Sequence, residues 1–104
     1  MRSQFVSQLP EQAAAIRGMW SQFEEAPHRF SHVLLDIGRI AHRIAGTAAT
    51  LGFPELGQLA ASLEEAIGGP GDLPGDERKI KRLVAKFVKE MTLISDSDME
   101  MGRA

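Results

Sequence analysis

His42 is the residue of this chain best suited to chemistry. A neutral imidazole carries a lone pair and can act as a nucleophile, and histidine reaches that form near neutral pH. Leu35, Gly38, Arg39, Ala45, Gly46 and Ala49 share a helix side with it, taking about 100° per residue. An ordinary solvated face would be full of Glu, Lys and Gln. This one is small, apolar and cationic around a single ring. Gly38 and Gly46 lie one turn before and one turn after His42. Each glycine inside a helix costs about 1 kcal/mol relative to alanine. Two such costs bracketing one side chain point to steric openness, so that a partner can approach closely. Glycines also permit tight helix–helix contact, and a lone helix histidine is commonly a plain surface residue. The surrounding pattern favours the first reading.

Other chemistries are narrowed by what is missing. Cysteine is absent, which excludes disulfides, a thiol nucleophile and thiolate metal sites. His28 and His32 are spaced i, i+4 and could hold a metal from one helix face. No third histidine lies close in sequence, so they read as surface residues and no metal or other cofactor is expected. The stretch Gly68 to Gly75, GGPGDLPG, lacks Gly-Lys-Ser/Thr and reads as a turn. Without a nucleotide-binding loop, and too short to hold an added ATP domain, the chain is not expected to be a kinase.

The 104 residues, 43% hydrophobic and 25% charged, fit one soluble domain over 1–104. Twelve Lys and Arg against fourteen Asp and Glu leave a net charge of −2, unlike a dedicated nucleic-acid binder. Lys79, Lys81, Arg82, Lys86 and Lys89 read as a solvated face that could also meet an acidic partner. They lack the aromatic interleaving of a nucleic-acid surface. Neither a signal peptide nor a membrane span is apparent, so a cytoplasmic protein is expected; a monomer is expected as well.

The elements that must position His42 are helices. Strand-like alternation is absent, and Ala, Leu, Ile, Met, Glu, Gln, Lys and Arg dominate. Residues 1–9 read as a short lead-in whose Phe5 and Val6 cap the core. Pro10 opens a first helix with Ala13, Ile16, Trp20 and Phe23 inward. A second, roughly 27–52, carries Phe30, Val33, Leu34, Ile37, Ile40, Ala41, Ile44, Ala48 and Leu51 and stops at Gly52. Pro54 opens a third, with Leu56, Leu59, Ala60, Leu63 and Ile67 buried. The fourth begins near Asp76 and Glu77 and buries Ile80, Leu83, Val84, Phe87, Met91 and Ile94. The tail from Ser95 is expected to fray. The expected fold is an all-α, up-down-up-down four-helix bundle with a short N-terminal lead-in.

The run from Ala41 to Gly52, AHRIAGTAATLG, resembles the signature of histidine-containing phosphotransfer (HPt) domains, approximately His-x-Leu-Lys-Gly-Ser-Ala-x-x-Leu-Gly. Leu56, Leu59, Leu63 and Glu64 continue the pattern without a gap. The strong match covers about a quarter of the chain. It implies a helical bundle that relays phosphoryl groups between histidine kinases and receiver aspartates. His42 would then be the phosphoacceptor, through Nε2. Glu64 matches the position that orients the imidazole by accepting Nδ1–H; it could equally be an exposed carboxylate paired with Arg43 or another cation. Where the family often has lysine, three residues after the histidine, this chain has Ala45. Arg39, three residues before His42, is the better placed substitute cation, with Arg43 the other.

Both arginines could stabilise phosphoryl oxygens, steer an acidic receiver surface, or simply confer solubility. Leu35, Ala45, Ala49 and Phe53 could form an apolar docking patch or be buried against the lead-in, burial being favoured for Phe53. The implied partners are a response-regulator receiver domain and a hybrid histidine kinase. The alternative is a binding-only helical adaptor that docks without accepting phosphate, for which Ala45 is the motive. A small hydrolase using His42 and Glu64 is disfavoured, because no serine, cysteine or metal cluster accompanies them.

Overall fold

Apolar side chains three and four residues apart give each segment one inward stripe, and four such stripes meet in the core. The computed structural model describes residues 2–29, 32–68 and 77–103, with side chains for 3–29, 32–68 and 77–97. The helices are α1 (Arg2–Glu25), α2 (His32–Thr50), α3 (Pro54–Ile67) and α4 (Glu77–Arg103). No strand occurs among the described residues. Each helix packs on its chain neighbours, and α4 closes back on α1. Among the described residues α2 and α4 do not touch, so they stand on one diagonal of the bundle. Leu9, Ile16, Ile37, Ile44, Leu56, Leu63, Ile80, Phe87 and Met91 are fully buried at its centre.

Three boundaries differ from expectation. There is no separate lead-in: α1 runs from Arg2 through Pro10. Interior proline costs about 3 kcal/mol through the lost N–H and its ring's clash with the carbonyl four residues back. Continuing the helix, however, aligns Val6 and Leu9 with Ala13, Ile16, Trp20 and Phe23 in one buried stripe. Burying each of those two extra side chains returns about 1.5–3 kcal/mol, which offsets the proline. Pro10 itself faces solvent.

The second helix begins at His32 rather than near Pro27. The chain first turns at 26–29, where the Arg29 N–H donates to the Ala26 carbonyl at 3.0 Å, with Pro27 in the position that suits its fixed φ. At the other end, α4 does not fray at Ser95 but continues to Arg103. Ser95 is buried one turn beyond Met91, which carries the inward stripe past the expected stop. Phe30 and residues 69–76, including most of the Gly/Pro-rich stretch and Asp76, lie outside the described residues.

The joint that matters for the site is the one between α2 and α3. Gly52 takes φ 93°, a left-handed conformation that glycine adopts without strain. The Phe53 N–H then donates to the Ala48 carbonyl at 2.8 Å, closing the end of α2 in a Schellman-type cap. Pro54 starts α3 immediately, in the helix position that needs no N–H.

Candidate functional site

This tight joint sets the height of the site. His42 lies ten residues before Gly52, and Glu64 lies ten residues after Pro54. At about 1.5 Å per residue both stand about 15 Å from the turn. The two antiparallel helices can also approach closely, because Gly57 faces Ala45 and Ala49. A Cβ on Gly57 would sit 3.5 Å from the Ala45 carbonyl oxygen and 3.7 Å from the Ala49 Cβ. Across this seam His42 Nδ1 and Glu64 Oε2 are 2.7 Å apart. The imidazole side chain is 75% exposed and the Glu64 side chain 41%. A carboxylate can only accept, so Nδ1 carries the proton and donates it. That fixes the tautomer and leaves the Nε2 lone pair directed away from Glu64. Of the two roles open to Glu64, the structure brings about the contact with His42.

The residues around the ring divide into three groups. Leu35, Arg39, Gly46 and Ala49 are exposed on the same outward side as His42. Leu35 is 51% exposed, unusual for a large apolar side chain. Nothing lies within 4 Å of where a Gly46 Cβ would be, so the turn after His42 is open. Arg39 is held loosely by Asp36, one turn back, with Nη1 to Oδ1 3.8 Å.

Two expected members of that outward side lean inward instead. Gly38 is half-buried, and a Cβ there would meet Ile67 at 3.8 Å. Its openness is therefore toward α3, not toward a partner. Ala45 is partly buried against the core. Both placements have one cause: α3 lies to that side of α2, as the Gly57 seam requires. Phe53 is half-buried and stacks on Phe5, with centroids 5.9 Å apart, as expected for a residue covered by the N-terminal segment.

The third group lies toward α1. Arg43 is exposed and lines an open groove of about 410 Å³ with Gly46, Thr47 and Thr50 of α2 and Gln4, Phe5, Gln8 and Gln12 of α1. Among the described residues Arg43 has no ion pair. The Thr47 hydroxyl donates to the Arg43 carbonyl and the Thr50 hydroxyl to the Gly46 carbonyl, each at 3.1 Å. This groove, the Gly57 seam and the Asp36–Arg39 pair are absent from the sequence reading. The i, i+4, i+8 spacing of Gln4, Gln8 and Gln12 is the one available signal for the groove, because it puts three amides on one face.

No group of three or more His, Asp or Glu side chains able to hold a metal occurs among the described residues. Among them, too, no helix is long and apolar enough to cross a membrane. A family model for the Hpt domain matches residues 1–94. The chain belongs to the Hpt domain family. No curated protein and no solved structure matches it significantly. Hpt domains are helical bundles that carry phosphoryl groups in phosphorelays, are not themselves kinases, and interact with receiver domains and kinases. The bundle of α1 to α4 is of that kind.

Proposed function

We propose that this Hpt domain is a phosphoryl carrier whose phosphoacceptor is Nε2 of His42. It would receive the group from the aspartyl phosphate of a hybrid histidine kinase's receiver and pass it to another receiver domain. The observation that carries this reading is the 2.7 Å contact from His42 Nδ1 to Glu64 on a ring that is otherwise largely open. In the transfer, the Nε2 lone pair attacks phosphorus in line with the bond to the aspartate oxygen. That P–O bond breaks, the aspartate leaves as carboxylate, and the N–P bond forms. The ring then bears positive charge, with Nδ1–H still donated to Glu64. A carboxylate already in place stabilises that charge without reorganising, which is how a fixed environment lowers a barrier.

Transfer of this sort needs positioning and charge neutralisation more than covalent help from the protein. Arg39 and Arg43 are the cations within reach of the outward side, and Leu35 with the open turn at Gly46 supplies room and apolar area for a receiver. The reading calls for no cofactor in this chain; divalent metal chemistry would belong to the receiver's acidic pocket.

Incubation with a phosphorylated receiver or an active hybrid kinase tests it. Wild type acquires acid-labile, base-stable label, and His42→Gln acquires none. Equal labelling of the two proteins overturns the assignment. The alternative, an adaptor that docks without accepting phosphate, keeps its motive in Ala45, which leaves no lysine three residues after the histidine. It predicts binding of the receiver with no label on either protein.

A further inference from the structure

Charge is distributed very unevenly along this chain. Six of its twelve Lys and Arg residues lie between Arg78 and Lys89, a stretch with no Asp or Glu. The other six share the rest of the molecule with all fourteen carboxylates. On α4 the inward side is set by Ile80, Val84, Phe87 and Met91. At about 100° per residue, Arg78, Arg82, Lys86 and Lys89 fall within about 80° of arc on the side opposite. Leu93 falls in the same arc and is 53% exposed. With Leu35 it is one of two exposed large hydrophobic residues among those described. The stripe extends about 23 Å at 1.5 Å per residue.

An ordinary solvated face does not look like this. Soluble surfaces mix the two signs. Here Arg78 and Arg82, Arg82 and Lys86, and Lys86 and Lys89 are like-charged neighbours at i, i+4 or i, i+3, a spacing at which like charges repel. Glu24 of α1 takes Lys81, beside the stripe, at 3.2 Å. Among the described residues no carboxylate pairs with Arg82, Lys86 or Lys89. The stripe also stands apart from His42, because α4 packs on α1 and α3 and lies diagonally across from α2.

We propose that Arg78, Arg82, Lys86, Lys89 and Leu93 form a docking surface for an acidic segment of a partner protein, with its carboxylates along the stripe and an apolar side chain over Leu93. Shape and charge select a protein segment over other anions. The stripe is one helix wide and bordered by Glu24, and the remainder of the chain is strongly acidic. A flat anionic membrane or a broad nucleic acid would meet those carboxylates, whereas a single extended or helical segment would not. Docking here would hold a partner to the carrier by a surface that leaves the face around His42 free.

The probe is a synthetic 16-residue peptide of Glu and Ser with one Leu near its end, titrated into the whole isotopically labelled chain while backbone amide shifts are followed. Shifts should concentrate between Arg78 and Leu93 and weaken with added salt. The variant R82E/K86E/K89E should lose at least tenfold in affinity. The neutral variant R82Q/K86Q/K89Q should lose nearly as much, and serves if charge reversal disturbs α4. Leu93→Ser should lose about threefold. Shifts centred on Arg39 and Arg43, or undiminished binding by the neutral variant, would overturn the proposal. So would unchanged affinity in Leu93→Ser, or tighter binding of phosphatidylserine vesicles or duplex DNA than of the peptide. None of these outcomes bears on phosphorylation of His42, so the two readings fail separately.

Discussion

The outward faces of α2 and α4 use the same helical spacing to opposite ends. On α2 the face has been cleared: Gly46 has open space around it, Ala49 is small, and the long side chains Leu35 and Arg39 stand two turns and one turn before His42. On α4 the face is crowded with long cations and offers no imidazole. In the proposed transfer the first meets a receiver at bonding distance around His42. The second acts through charge over several ångströms and tolerates imprecise fit. A phosphoryl carrier needs both kinds of surface, since an in-line transfer demands close approach while encounter with a partner gains from attraction at range.

If that division is right, damage at Glu64 and damage on α4 should have different signatures. Glu64→Ala removes the acceptor of Nδ1–H, freeing the tautomer and leaving the charged ring less well stabilised. Charge-assisted hydrogen bonds contribute about 1.5–3 kcal/mol, and the half-exposed position of Glu64 places the effect at the low end. Transfer from a phosphorylated receiver should slow about tenfold, equivalent to about 1.4 kcal/mol in the barrier. Glu64→Gln, which keeps an acceptor, should recover most of it. Labelling by a small phosphoryl donor such as phosphoramidate should slow as well, because the defect lies in the ring. R82Q/K86Q/K89Q should leave that small-donor rate unchanged. Equal small-donor rates in Glu64→Ala and wild type would break the comparison.

Gly46→Leu sharpens the comparison within α2 itself. Nothing lies within 4 Å of a Cβ at Gly46, so the fold accepts the side chain. Leucine is also the better helix former, so thermal stability should rise slightly. Yet the new side chain would stand one turn from His42 at the rim of the groove lined by Gln8, Gln12 and Thr47. Receiver-dependent transfer should fall about fivefold, with small-donor labelling unaltered. Unchanged transfer kinetics would contradict the idea that this turn is kept open for a partner.

How much of this was legible in the sequence depends on whether the deciding force is local. The inward stripes of α2 and α3 follow from spacing alone, and Gly52 and Pro54 mark their junction because left-handed φ and a missing N–H are properties of single residues. The start of α1 is different. Proline's penalty is visible at position 10, whereas the burial of Val6 and Leu9 that outweighs it exists only once the other helices are present. Family resemblance brought Glu64 to notice, but its contact with His42 depends on two helices meeting at one height, which neither helix's periodicity states. The inward lean of Gly38 and Ala45 follows from where α3 sits, and Gly57, which sets that position, carries no chemistry to draw notice.

The two glycines that bracket His42 offer the finest discrimination. They look equivalent in sequence but not in the fold, since a Cβ at Gly38 would touch Ile67 at 3.8 Å and one at Gly46 would touch nothing. A contact of 3.8 Å is ordinary van der Waals packing, so alanine fits at both positions. Each substitution should gain about 0.5–1 kcal/mol from helix propensity and lower unfolded-state entropy, read as a higher denaturation midpoint. Function should separate them. Gly38→Ala adds its methyl to the α2–α3 seam and should transfer phosphate at the wild-type rate, whereas Gly46→Ala puts a methyl where a receiver would pass and should slow transfer by up to about twofold. A slowing in Gly38→Ala equal to that in Gly46→Ala would mean that the seam, and with it the His42–Glu64 alignment, is what these glycines protect.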